Sequence, residues 1–480
     1  MSSRTAAWTL AALLATTGGA FAAAATPDEA ATIRTALERY LGQGPVAVAP
    51  AGEAYRIDID LKAALKGLER FGVSLDPVTT SMTATPQGNG TWRVTGGAPP
   101  LLTVKAGGRT TSIVANGYAF DDIFDPRIPF LTKSTSHYDS LSLGTVTGDG
   151  TGPASVQTRQ LTKGEQSATA TVVGDGIVDI AGTQTNAAYA QDIAIDAAAG
   201  GRHIAFKGGA STDGLTVKAL SARALMDLWA FLVAHPTPDA LKAASADLKS
   251  KLRQALPVFA DLTQDGTLAN LAVESPIGPI AAHSLTTHVA LAGLTQAGSA
   301  TLGLKAEGLA LPTASLPAWT AVLIPTTLDL QDTVSGFRLD QAARTAIDLM
   351  EPGAPQLLSP ENLDKVRTAL GSRDTLVVTL GENHIVTPTL DAHVSGSVRL
   401  AGPVPSLAVT LRASGLDAAI AAVRAKGAKD STAIQAITML TLVKGYGKAE
   451  TDGTMSWAMM GDGTGAVTVN GVPLPIGIPK

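Results

Sequence analysis

The sequence predicts an α+β protein in which long, curved antiparallel β-sheets carry amphipathic helices packed on one face. Three observations lead there. Most of the chain alternates apolar and polar residues with period two, Asp-Gly and Asn-Gly dipeptides punctuate those runs, and a few capped amphipathic helices interrupt them.

The helix starts share one chemistry: "TPDEAATIRTALERYLG" from Thr26, "TPDALKAASADLKSKLRQAL" from Thr237 and "SPENLDKVRTALG" from Ser359. In each, a hydroxyl N-cap precedes Pro at the first helical position and an acid in the first turn, which satisfies orphan amides and suits the helix dipole. Thr26 and Glu29 match a capping box. Leu225, Leu228, Trp229, Leu232 and Val233 recur at helical spacing, as do Leu416, Ala419, Ile420 and Val423, so each helix has one stripe for the core.

Strands are read in "YRIDIDL", "GLTVKAL", "TLGLKAEGLAL", "TLVVTL", "HVSGSVRL" and "SLAVTLRAS". Asn116, Asp149, Asp175, Asp213, Asp265, Asp452, Asp462 and Asn470 each precede Gly, a pair that favours tight hairpin turns. Four segments run from a strand straight into a helix: "YRIDIDLKAALKGLERFG", "LTVKALSARALMDLWAFL", "FRLDQAARTAIDLM" and "LAVTLRASGLDAAIAAVRAKG". Their spacing is irregular, which excludes a solenoid of fixed period. Near the end, "GAVTVNGVPLPIG" alternates Val467 and Val469 onto one face and turns at Asn470–Gly471. Pro473 and Pro475 cannot donate ladder hydrogen bonds, so its returning arm is an edge.

The expected organisation is a secretory signal over residues 1–24, a helix plus strand-rich half over 25–218, and a second half over 219–480 with strand-helix units and the closing hairpin. The signal rests on Arg4, the short apolar run Ala6–Ala15 and the small residues around Ala20 and Ala22. There is no cysteine, which excludes a disulfide framework, Cys-ligated zinc, a thiol nucleophile and a lipid-modified N-terminal Cys. No later stretch reaches the about 20 apolar residues of a membrane helix. A soluble periplasmic protein without a transmembrane span is therefore expected. With a formal net charge of −5 and no basic stripe, nucleic acid is an unsuitable partner.

Motifs for nucleophilic, phosphate-binding or zinc-protease chemistry are missing, and no cofactor is expected. The two "GDGTG" stretches precede alternating strands and read as turns. His283 and His288, five apart on a strand, point to opposite faces. In "GENHIVTPTLDAH" a two-residue turn at Thr387 and Pro388 would pair His384 with Asp391 and Glu382 with His393, placing four metal-ligating groups on one face. A solvated hairpin face is the plainer account of the same residues and outweighs it. Asp121, Asp122 and Asp125 in "YAFDDIFDPRIP" offer carboxylates for calcium but lack EF-hand spacing, so a solvated loop is preferred.

The ending "DGTGAVTVNGVPLP" resembles the closing strand and Asn-Gly hairpin of several envelope-protein families, and the whole chain resembles an uncharacterised family of alphaproteobacterial periplasmic proteins. More loosely it is similar to the YdgA-like and AsmA-like proteins. The AsmA-like resemblance implies a curved sheet whose apolar concave face holds lipid acyl chains. Composition is compatible: hydrophobic residues make up 45% and aromatics 4%, so such a face would be aliphatic. Headgroup-selecting rim candidates are Arg93, Lys105, Arg338 and Arg399. The leading expectation is a non-enzymatic cell-envelope protein that binds or chaperones an amphipathic lipid. Its rivals are an interaction module for an envelope protein partner, with no cavity, and a hydrolase or metalloprotein whose site converges from separated segments.

Overall fold

The computed structural model describes residues 24–97, 99, 101–148, 155–195, 201–293, 298–314, 316–354, 356–371, 375–402 and 404–474, without the side chains at 70 and 71. The expected signal segment up to residue 23, the first GDGTG turn beyond Gly148, and Pro475 lie outside them. Nine α-helices stand beside twenty-five strands among the described residues, the α+β class that the alternation predicts. Two compact units divide the chain. The first holds the described residues of Met1–Ala205, Ala210–Leu262 and Ala343–Val366, the second those of Phe206–Gly209, Thr263–Ala342 and Arg367–Lys480.

In the first unit α1 (Pro27–Leu41) opens at Thr26, whose hydroxyl accepts from the Glu29 amide at 3.3 Å. A third residue completes the capping box. The Thr26 amide donates to the Tyr55 hydroxyl (3.2 Å), which in turn donates to the Glu29 carboxylate, so the buried phenol relays a contact that a simple box makes directly. Ile33, Leu37, Tyr40 and Leu41 of α1 pack on Tyr55, Ile57 and Ile59. Each such aliphatic side chain contributes roughly 1.5–3 kcal/mol by leaving water.

The strands below α1 are β1 (Val46–Ala51) and β2 (Ala54–Asp60), followed by the helical turn α2 (Leu61–Ala64). Next come β3 (Val73–Leu75), β4 (Thr79–Pro86), β5 (Trp92–Gly96), β6 (Leu101–Ala106), β7 (Arg109–Asn116) and β8 (Ala119–Asp125). Two long strands then dominate: β9 (Phe130–Thr147, 18 residues) and β10 (Ser155–Gly174, 20 residues). They are followed by β11 (Ile177–Asn186), β12 (Ala188–Ile195), β13 (Arg202–Gly208) and β14 (Ser211–Leu220).

β9 and β10 pair with each other, and each shares its outer edge between two shorter strands. β8 takes the first half of β9 and β7 the second; β12 takes the first half of β10 and β11 the second. The Asn116–Gly117 turn therefore joins strands lying end to end along β9 and closes no hairpin. Where the edges divide, Tyr138 and Gly164 are register partners. The Tyr138 ring lies across Gly164, so close that a Cβ there would stand 2.0 Å from Cζ. Its hydroxyl donates to Asn186 Oδ1 and accepts from Gln184 Nε2 (3.1 Å), while Asn186 Nδ2 donates to Ser211 (3.0 Å). These buried polar groups satisfy one another, as a buried network must.

α3 (Ala222–Ala234) follows β14 directly, as the strand-to-helix pattern predicts, and Trp229 donates to the Tyr40 carbonyl of α1 at 2.8 Å. That packing keeps the chain in the first unit well past residue 218. The helix expected from Thr237 is two, α4 (Pro238–Ala243) and α5 (Ser245–Gln254), separated at Ala244. Its N-cap is as expected, with Thr237 accepting from the Ala240 amide at 3.2 Å.

In the second unit the strands are β15 (Asp261–Glu274), β16 (Ile280–Ala292), β17 (Gly298–Glu307) and β18 (Thr327–Phe337). α6 (Leu339–Leu349) and α7 (Pro360–Leu370) lie mostly in the first unit, where Arg253 pairs with Asp348 at 2.5 Å. The meander resumes with β19 (Val377–Val386), β20 (Asp391–Arg399) and β21 (Ser406–Ser414). α8 (Leu416–Gly427) and α9 (Ser431–Tyr446) precede β22 (Lys448–Ala449), β23 (Met455–Asp462), β24 (Val467–Val469) and β25 (Val472–Pro473). The closing hairpin forms as read, with Asn470 and Gly471 at φ 50° and 79°. By contrast, Asp213–Gly214 and Asp265–Gly266 lie inside β14 and β15 and turn nothing.

Candidate functional site

Register gives the sheet of the second unit two chemically opposite faces. On one, Lys305, Asp329, His384, His393 and Arg412 follow one another across β17 to β21 as successive partners. On the other, Val289 faces Leu302, Leu304 faces Leu330, and Ala300, Val334 and Val378 form a further row. Towards β23 this aliphatic side is covered: Ala392, Leu411, Ala413 and Trp457 pack with Leu416, Ile420 and Leu440 of α8 and α9. On β16 to β18 it is open. Leu302 is 64% exposed, and Leu304, Val289 and Val334 are exposed beside it.

On the polar face the β19–β20 hairpin brings three of the four expected ligands together. Asp391 Oδ1 lies 2.8 Å from His384 Nε2 and 3.3 Å from His393 Nε2, and the imidazoles stack with centroids 4.2 Å apart and planes 6° apart. One ligand atom from each residue falls within 4.8 Å of the others. The direct cross-strand partner of His384 is His393, not Asp391, because the turn spans Thr387 to Leu390. Thr387 Oγ1 accepts from the Leu390 amide (2.8 Å) and closes this four-residue turn. Two extra turn residues shift the register by one whole pair, which leaves every side chain on its face.

Glu382 stays out of the trio. It is exposed and has no partner in either neighbouring ladder, because β19 bulges between Leu380 and Asn383. A side chain at Gly381 would meet the Gln331 carbonyl at 2.6 Å, so the bulge needs glycine where the backbones approach. Asn383 stands in for the lost ladder bonds: its Oδ1 accepts from the Gln331 amide (2.6 Å) and its Nδ2 donates to Asp332 (3.0 Å). An isolated Gly inside an alternating run was the available signal for that bulge, and it marks Asn383 as the residue that holds His384 in its row.

The other candidates separate. Asp121 is held by Arg93 through two bonds (2.9 and 2.6 Å), Asp125 by Arg127, and Asp122 is buried; the three carboxylates form no ligand group among the described residues. Lys105 pairs with Asp76 at 2.9 Å and Arg338 with Gln341 at 3.1 Å, while Arg399 is exposed at the end of β20. His288 meets Asp265 at 2.7 Å on the polar face, and His283 on β16 is exposed. A trough of about 620 Å³ on the first unit is lined by Asp121, Thr135, His137, Glu165, Ser167 and Thr183. Ala119 and Phe120 line it beside these polar groups. Compared with family models, with curated proteins and with solved structures, the chain matches none. No described helix is long and apolar enough to cross a membrane.

Proposed function

We propose that this chain is an exported, non-enzymatic cell-envelope protein that holds the acyl part of an amphipathic lipid on the aliphatic face of β16 to β18. The observation that carries the proposal is the exposed leucine and valine surface of those strands, continuous across three registers, with Phe337 lying over Gly298 at its end. An aliphatic surface binds by burial, worth about 0.8 kcal/mol per methylene removed from water. The AsmA-like pattern of the sequence supports the same assignment. Native mass spectrometry of the purified chain, followed by solvent extraction, tests it. Wild type should carry a stoichiometric lipid and a Leu302→Glu, Leu304→Lys variant should not, while both melt alike because the two leucines are exposed. A wild-type mass without lipid rejects the assignment.

A second reading rests on the hairpin trio. Two imidazoles and a carboxylate, partly exposed and mutually within ligand range, form a donor set suited to zinc or ferrous iron, with coordination positions left for water. Titration with Zn²⁺ should fill one site in wild type and lose it in both His384→Ala and His393→Ala. Equal metal content in all three proteins ends this reading.

A further inference from the structure

The helix α9 presents apolar residues on both its inward and its outward side, with Gln435, Thr438 and Thr441 exposed among the latter. Inward, Ala433 is buried with Val322 and Val423, next to Ala436 and Ile437, and Leu440 packs in the cluster of Trp457. Outward, Met439, Ile434 and Leu442 are 59%, 55% and 54% exposed, and Val443 is exposed beside them. From Ser431 to Val443, "STAIQAITMLTLV", there is no charged residue. Helices at a water interface ordinarily place charges on their outer face, and exposed apolar residues ordinarily occur singly. The exposed hydroxyls spend their protons within the helix: Thr438 donates to the Ile434 carbonyl (2.9 Å) and Thr441 to the Ile437 carbonyl (2.7 Å).

The charges that flank this face in sequence are mostly basic. Residues 424–448 contain five basic side chains, Arg424, Lys426, Lys429, Lys444 and Lys448, against the single acid Asp430, in a chain whose formal net charge is −5. Asp430 is committed to capping α9 through Thr432, Lys444 is held by Asp417 at 2.5 Å, and Lys448 pairs with Glu450 at 3.6 Å. Arg424, Lys426 and Lys429 are exposed and form no ion pair with any described residue.

We infer that α9 is an interfacial helix that docks the protein on an anionic lipid bilayer. It lies in the plane of the surface with Ile434, Met439, Leu442 and Val443 at the acyl boundary and the α8–α9 bases among the headgroups. The face is separate from the sheet surface of β16 to β18, so docking and lipid holding fail independently. Flotation of the full-length mature chain with vesicles of phosphatidylcholine alone, and of phosphatidylcholine mixed equally with phosphatidylglycerol, tests the inference. The protein should float with the anionic vesicles and release as salt rises. A Met439→Glu, Leu442→Glu variant should bind at least about tenfold more weakly at an unchanged melting temperature, and Lys426→Glu, Lys429→Glu should erase the preference for anionic lipid. Three results overturn it: no flotation of wild type, equal flotation of both variants, or a wild-type dimer that the Met439→Glu, Leu442→Glu change splits without any vesicle binding.

Discussion

Gly164→Ala should destabilise the protein by about 3–5 kcal/mol, seen as a large fall in the urea midpoint of the first unit. The added methyl would stand 2.0 Å from Cζ of Tyr138, whose ring is only 2% exposed and cannot swing outward. Moving the ring also breaks its hydroxyl bonds with Asn186 and Gln184, both buried. Overpacking of this kind costs roughly 1–3 kcal/mol, and each buried polar group left unpaired roughly 1–3 more. An aromatic ring lying over a cross-strand glycine is itself a stabilising pair in sheets. A double variant, Gly164→Ala with Tyr138→Ala, should therefore lose much less than the two single losses added together. Additive losses would show that the ring and the glycine do not act as one unit.

Asp122→Asn should act in the opposite direction. Asp122 is 6% exposed, its Oδ1 has no hydrogen-bond partner among the described residues, and burial pushes its carboxyl up to about 6 against the pull of a hydrogen bond from Ser134. The folded value lies above the ordinary 3.8, so between the two the folded chain binds more protons than the unfolded chain. Its contribution to stability is intact below about pH 4, is lost as pH rises to about 6 and stays lost above. Asp122→Asn should thus gain about 2–3 kcal/mol near pH 7 and nothing near pH 3.5. The comparison must be the difference between variant and wild type, because other carboxyls impose the reverse slope. Asp58, Asp121 and Asp125 are held below the usual range by hydrogen bonds from Ser81, Arg93 and Arg127. An Asp122→Asn gain of equal size at both pH values would show that Asp122 does not titrate in this window.

Local chemistry was legible in the sequence wherever it needed only neighbouring residues. Thr26, Thr237 and Ser359 cap their helices, and all four strand-to-helix passages form, because caps and periodicity are read within a few positions. Interruptions that depend on a partner strand were not. Asp213–Gly214 and Asp265–Gly266 look like turns, yet β14 and β15 run through them; on β14 the β11 partners Gln184 and Thr183 hold both residues in a ladder. The candidate metal site shows the same division. Alternation placed His384, Asp391 and His393 on one face, while the bulge that removes Glu382 is set by how closely Gly381 approaches Gln331 of another strand. The openness of the aliphatic face was likewise unreadable, since it depends on how far α8 and α9 reach across the sheet.

The divided edges of β9 and β10 concentrate alignment in one hairpin. Four strands, β7, β8, β11 and β12, take their registers from these two, and β5, β6 and β14 take theirs from those four in turn. A slip of one residue between β9 and β10 would turn the inward side chains of β10 and everything templated on it towards water. Tyr138 resting on Gly164 is a key in a lock for that alignment: only at the glycine can the two long strands lie flat with the ring between them. The centre of the first unit is thus a checkpoint of alignment, a place where a misregistered pairing would meet a side chain instead of a glycine.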